Sequence, residues 1–120
     1  MIGGVETRIP TAPGAAPVEV AVRAICRHWP DAVFEDAITA VRYNQSQSIS
    51  LGQAEELFVY RDREAADIWE ASGAIPAVYN TMIHLVPDDD ALTLVVDKHD
   101  REMDQIIADV ATELAGSKRS

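Results

Sequence analysis

Residues 55–98, EELFVYRDREAADIWEASGAIPAVYNTMIHLVPDDDALTLVVDK, contain the change of hydrophobic spacing that decides the fold. The spacing begins with period two, becomes helical, and returns to period two, so the stretch alternates between strand and helix patterns. Pro and Asp dominate the connection between its last two apolar runs, which is typical of a tight turn. The pattern predicts a strand, a helix, a strand, a turn and a strand, at 56–61, 62–72, 79–86, 87–90 and 91–97.

Two further helices are expected outside this stretch. Pro17 suits the first position of a helix over 17–29, which Pro30 stops. A last helix over 100–115 is expected to end at Gly116. Its apolar stripe consists of Met103, Ile106, Ile107, Val110 and Leu114.

The segment between the first helix and the central stretch is ambiguous. Its sequence AVFEDAITAV fits a strand near 32–39, which we favour, but it also fits a helical stripe. Residues 42–53 are polar and read as a long connection. Residues 1–16 are rich in Gly, Pro and Ala and read as a flexible N-terminal arm, and 117–120 as a loose tail.

These elements predict a single α+β domain over 17–116, because 120 residues provide for one hydrophobic core. The expected order is α-β-β-α-β-β-α, with a four-stranded mixed or antiparallel sheet and the helices packed on one face. Residues 62–78 are long enough to cross between parallel strands. That crossover would bring Arg61 and Arg63 to the same edge as Asp88–Asp90.

Alternation sorts the strand side chains onto two faces. An aliphatic face, expected under the helices with Trp29, Trp69, Ile106 and Leu114, consists of Leu57, Val59, Ile83, Leu85, Leu92, Leu94 and Val96. The other set, which we call the second face, is too apolar for plain exposure and is expected to need a cover. The cover could be a second copy, a partner protein, a ligand, or the chain's own N-terminal arm or loop 42–53. Its predicted members, our candidate binding or interface residues, are Phe34, Phe58, Tyr60, Met82, His84, Thr93 and Val95.

Candidate chemistry is sparse. Asp88–Asp90 and the group Asp97, His99 and Asp100 suggest a metal site, but a strand separates them by about 20 Å, so no metal site or cofactor is expected. His84 could act as an acid or base only beside a carboxylate, for which Glu56 or Asp36 is available. No phosphate loop, paired-cysteine motif or nucleophile elbow is present, so a noncatalytic role is favoured.

The charge bounds the partners. Twenty acidic against ten basic residues give a net charge of −10, which disfavours nucleic acid and anionic lipid and favours a protein with a basic surface. The single cysteine, Cys26, lies on the apolar stripe of the first helix and reads as a buried hydrophobe. No signal peptide or membrane span is expected, and we expect a cytoplasmic protein.

Two functions are consistent with this profile. The favoured one is a small acidic interaction module, similar in profile to inhibitor or immunity proteins, that forms a homodimer through the second face and contacts a protein partner through its acidic surface or the loop 42–53. The alternative is a small-molecule-binding protein or cofactor-independent enzyme with an apolar pocket around His84 and Tyr60.

Overall fold

Three helices and six strands make up the part of the chain that the computed structural model describes, residues 5–12, 16–44, 56–72 and 80–117. The helices are α1 (Pro17–His28), α2 (Arg63–Ser72) and α3 (Arg101–Ser117). The strands are β1 (Val5–Pro10), β2 (Val33–Asp36), β3 (Arg42–Asn44), β4 (Leu57–Tyr60), β5 (Met82–Pro87) and β6 (Ala91–Val96).

All six strands form one antiparallel sheet in the order β1-β6-β5-β4-β2-β3. The β5–β6 hairpin closes with a hydrogen bond from the Asp88 N–H to the Ala91 carbonyl, 2.8 Å long. The prediction of an α+β domain with three helices is therefore confirmed, and the sheet is antiparallel.

The predicted number of four strands is wrong. Residues 5–10, expected to belong to a flexible arm, form β1 and pair along their whole length with β6. Residues 42–44, expected at the start of a loop, form β3 beside β2. They are edge strands of six and three residues, whose conformation depends on pairing with another strand more than on their own pattern. The preference for a strand over a helix near 32–39 is confirmed by β2.

One face of the sheet carries the main core, beneath α1 and α3. The predicted aliphatic face is buried as a set, with Leu57, Leu85 and Leu94 fully inaccessible. Helix α1 contributes its buried stripe, including Val18 and Ile25. Helix α3 contributes Met103, Ile106, Val110 and Leu114. Burial of this many aliphatic side chains supplies the driving force that holds the two helices on the sheet.

Helix α2 lies on the opposite face, which corrects the prediction that all helices share one face. Its Ala65 and Ala66 are buried in a separate cluster with Val33 and Tyr60, against which Trp69 is partly packed. Trp69 therefore does not join Trp29 in the main core. The two adjacent alanines allow the helix to approach the sheet closely, a feature that apolar periodicity alone does not assign to either face.

The predicted parallel crossover is also wrong, because β4 and β5 are antiparallel neighbours. A connection of this length permits either strand direction, so length did not determine it. Arg61 consequently lies at the opposite end of the hairpin from Asp88–Asp90, with its N–H bonded to the Thr81 carbonyl. The cation at the acidic tip is instead Arg8, which lies 2.7 Å from Asp90 and 4.0 Å from Asp88.

Aspartate side chains cap the N-termini of α2 and α3. The Asp62 carboxylate accepts a bond from the Ala65 N–H, and the Asp100 carboxylate accepts one from the Met103 N–H, each 2.8 Å long. Helix α3 continues through Gly116 to Ser117, so the predicted stop at Gly116 is wrong. The predicted loop beyond Asn44 and the predicted tail beyond Ser117 lie outside the described residues.

Candidate interaction surface on the second face

Helix α2 divides the second face into two halves. The covered half lies beneath α2 and consists of Val33, Glu35, Arg42 and Tyr60. Four apolar side chains, together with His84 and Thr93, form what we call the uncovered half: Phe58, Met82, His84, Val86, Thr93 and Val95. All six are partly exposed, and Phe58 and Met82 also contact the α2 cluster at the boundary. Of the described helices, none packs on β6 from this side.

The register explains how six residues from three strands form one surface. Phe58 pairs with His84, His84 pairs with Val95, and Val86 pairs with Thr93. Directly opposed residues on antiparallel strands share a face and lie within side-chain contact distance. The uncovered half is therefore continuous across β4, β5 and β6.

Most predicted interface residues lie where alternation placed them. Phe58, Met82, His84, Thr93 and Val95 belong to the uncovered half, and Tyr60 lies on the same face but is only 6% exposed beneath α2. Phe34 is a correction: it pairs with Val59 and is fully buried in the main core. The sequence reading omitted Val86, although continuing the alternation from Met82 and His84 would have found it.

A polar network holds the covered half together. The Tyr60 hydroxyl donates a 3.0 Å hydrogen bond to Glu35. Burial, together with this carboxylate, raises the pKa of Tyr60 above its ordinary value. Arg42 donates to Asp67 at 2.9 Å and to Glu70, both on α2, so one guanidinium ties the helix to β3. Burial opposes the charge on Arg42, but these carboxylates outweigh it and raise the pKa of Arg42.

His84 is the only ionisable side chain among the six residues of the uncovered half. Its Nε2 lies 3.0 Å from a carboxylate oxygen of Glu56, one of the two partners considered from the sequence. Its ring packs against Phe58 with centroids 4.6 Å apart and planes tilted by 50°. An imidazole held by a carboxylate and an aromatic ring is fixed in orientation, which suits a contact surface as well as it suits proton transfer.

A small open cleft adjoins this surface. Its volume is about 100 Å³, and it is lined by Trp69, Asn80, Met82, His84, Val95, Val96 and Asp97. Tyr60 is not among the lining residues, so the expected pairing of His84 and Tyr60 in one pocket is not formed here. Ligand sites for drug-sized molecules are larger, at about 300–1,000 Å³.

Three other groups could suggest chemistry. Thr7 Oγ1 lies 3.2 Å from His99 Nε2, but His99 Nδ1 and Asp104 are 3.7 Å apart, beyond hydrogen-bond distance, and both are exposed. Burial raises the pKa of the Cys26 thiol, which opposes thiolate chemistry. In the described ranges, no three His, Cys, Asp or Glu side chains are placed to share a metal ion.

Comparison with known proteins adds no relative. None of the described helices is long and apolar enough to span a membrane. No family model matches the chain, and neither a curated protein nor a solved structure is similar to it.

Proposed function

We propose that this chain is a noncatalytic interaction module that self-associates by packing the uncovered halves of two copies face to face. The observation that supports the proposal is the continuous, partly exposed apolar surface that Phe58, Met82, His84, Val86, Thr93 and Val95 form across three strands. Antiparallel sheets that face water usually present a polar row instead.

The division of the second face by α2 indicates where the proposed contact lies. Helix α2 already buries Val33 and Tyr60, so a partner is needed only beyond Phe58 and Met82. Apart from His84, whose Nε2 lies 3.0 Å from Glu56, the six residues of the uncovered half have no ionisable side chain. Interfaces with an apolar centre and charges at the rim have this composition.

The net charge of −10 favours a second role, in which an assembled form contacts a protein with a basic surface. The acidic tip Asp88–Asp90 is exposed, and only Arg8 compensates it among the described residues. Charge complementarity of this kind affects association rate more than affinity. The uncovered half remains the place where we propose that binding energy is concentrated.

A small-molecule function receives less support. The cleft beside Trp69 is several times smaller than ligand sites for drug-sized molecules, and Tyr60 is turned to Glu35 under α2. A ligand there would contact Met82 and His84 without involving Val86 or Thr93. The proposed interface uses all four residues, so substitutions at Val86 distinguish the two functions.

The test is the solution mass of matched variants, measured by light scattering. Val86→Asp and Val86→Lys place a charge at the uncovered half, and each is expected to halve the mass of the wild-type assembly. Val41→Asp makes the same change at a valine that is 45% exposed in the connection before β3, and should leave the mass unchanged. Circular dichroism confirms that each variant is folded.

A wild-type protein at its monomer mass of 13.1 kDa over the accessible concentration range would overturn the proposal. So would folded Val86 variants with the wild-type mass. If Val86→Asp dissociates the assembly and Val86→Lys does not, the sign of the introduced charge explains the effect. The apolar interface is then rejected.

A further inference from the structure

Strand β1 forms one edge of the sheet, and its outward backbone groups can be assigned from the register. The Thr11 N–H donates to the Asp90 carbonyl at 2.8 Å, so the N–H groups of Ile9, Thr7 and Val5 also point towards β6. The N–H groups of Glu6 and Arg8 therefore point away from the sheet. In the described residues, no strand lies beyond β1 to accept them.

Pro10 marks the end of this open edge. By the same alternation its nitrogen faces outward, where a proline costs no ladder hydrogen bond. Two donors, at positions 6 and 8, are left between Val5 and Pro10. All three of Val5, Glu6 and Arg8 are exposed, so the edge is accessible.

A second copy of β1 matches this edge in one register. Antiparallel pairing about a two-fold axis at Thr7 places Glu6 of each copy opposite Arg8 of the other. In each copy, the N–H and C=O groups of Glu6 and Arg8 point outward. The two Glu6–Arg8 pairs therefore use all four outward N–H donors, two from each copy. Glu6 pairs with Val95 and Arg8 with Thr93 within the chain, so all four charged side chains lie on the second face.

The neighbouring registers are less favourable. An axis at Arg8 places the two Arg8 side chains opposite each other and Glu6 opposite Pro10, which has no N–H. An axis at Glu6 places the two Glu6 side chains opposite each other. Like charges directly opposite on neighbouring strands are destabilising, and opposite charges are stabilising. The Thr7 axis also places Val5, which is 37% exposed, opposite Ile9 of the other copy.

From these observations we infer that β1 pairs with β1 of a second copy, antiparallel and centred on Thr7, to join two sheets edge to edge. This interface is separate from the face-to-face contact proposed above. Its two-fold axis is normal to the sheet, so both second faces lie on the same side of the joined sheet. The two contacts together would generate a tetramer with perpendicular two-fold axes.

Charge reversal tests the register. Arg8→Glu places Glu opposite Glu twice, and is expected to weaken edge association by about tenfold or more. The exchange Glu6→Arg with Arg8→Glu restores opposite charges and is expected to recover the wild-type dissociation constant. Sedimentation equilibrium of each variant is carried out in the Val86→Asp background, in which the edge is the only remaining proposed interface.

Arg8 also contacts Asp90 within its own chain, which requires a control. Asp90→Asn removes that partner without changing the edge, and is expected to leave edge association unweakened. Glu6→Pro removes the outward N–H of residue 6, which no described strand accepts. It is expected to weaken edge association while the hydrogen bonds between β1 and β6 are retained. Thermal unfolding of each variant identifies any that do not fold.

The inference is overturned if folded Arg8→Glu associates as tightly as its parent, or if the charge exchange fails to restore what the single reversal removed. It is also overturned if the Val86→Asp parent is a monomer at every concentration. If the Val86→Asp parent is a monomer and the wild type is a dimer, the face-to-face proposal stands and only the edge contact fails. The failure of one proposal can therefore be distinguished from the failure of the other.

Discussion

The two halves of the second face begin from the same kind of sequence and end in different environments. Both consist of alternate side chains along strands; the covered half includes the charged pair Glu35 and Arg42, whereas the uncovered half is mostly apolar. The covered half is closed by α2, through Ala65 and Ala66 below and Arg42 at the side. The uncovered half has no equivalent among the described helices. Within the described residues, the position of α2, and not the strand pattern, determines which side chains of this face are buried by a helix.

The largest expected effect is a difference between the two halves in the free energy of unfolding that a truncated side chain costs. Tyr60→Ala removes an aromatic side chain that is 6% exposed and leaves Glu35 without its donor, so the free energy of unfolding should fall by about 3 kcal/mol or more. Val95→Ala, on the uncovered half, should cost less than about 1 kcal/mol. Urea unfolding at a concentration where the chain is monomeric measures both. Equal losses would show that the two halves are not different environments.

A second experiment tests how closely α2 packs. Ala66 is fully buried, so Ala66→Leu should overpack the covered half and cost about 2 kcal/mol. Ala71 lies on the same helix and is exposed, so Ala71→Leu should be close to neutral. Urea unfolding again gives the difference. If Ala66→Leu is as neutral as its control, α2 does not close this half as tightly as the structure indicates.

The covered half should also have an alkaline pH dependence. The pKa of Tyr60 is raised in the folded chain by burial and by Glu35, so its stabilising contribution is complete below the unfolded pKa of about 10 and is lost as the pH rises above it. Stability should therefore fall above about pH 10, less steeply in Tyr60→Phe. Tyr43→Phe, at a partly buried tyrosine that packs against the main core, serves as the control. An identical alkaline slope in wild type and Tyr60→Phe would contradict the assignment.

The smallest expected effect is the response of the face-to-face contact to salt. Two copies with a net charge of −10 repel each other, so screening should strengthen their association modestly. Glu6→Gln with Arg8→Gln removes the proposed edge ion pairs at constant net charge, so that their own response to salt does not contribute. Sedimentation equilibrium gives the dissociation constant. Association that weakens with salt would indicate opposite charges at the contact instead.

The sequence predicted the local elements better than their arrangement. Periodicity located α1, α2, α3 and four strands, and alternation sorted Leu57 from Phe58 and Ile83 from Met82 correctly, because these signals lie within one element. Strand direction between β4 and β5, the face chosen by α2 and the burial of Phe34 depend on contacts between distant segments. Edge strands such as β1 have little signal of their own, since they are paired on one side only and by a distant strand.

The candidate surface shows the same difference between signals within one element and contacts between distant segments. Five of its residues followed from alternation, and the His84–Glu56 contact was one of two alternatives because either acid could have been in register. That Tyr60 is closed off could not be inferred, since it depends on α2 crossing to the second face. The sequence therefore predicted an apolar face, and only the fold shows which part of it is open.

The central claim, that the uncovered half is a protein contact, is tested most directly by methyl NMR of the wild-type protein with a soluble paramagnetic probe. We expect the methyl signals of Val86, Val95 and Met82 to be shielded like those of buried Leu94 in the assembly, and to become accessible on dilution. Methyl signals that broaden at every concentration as strongly as those of Ile38, which is 62% exposed, would contradict it.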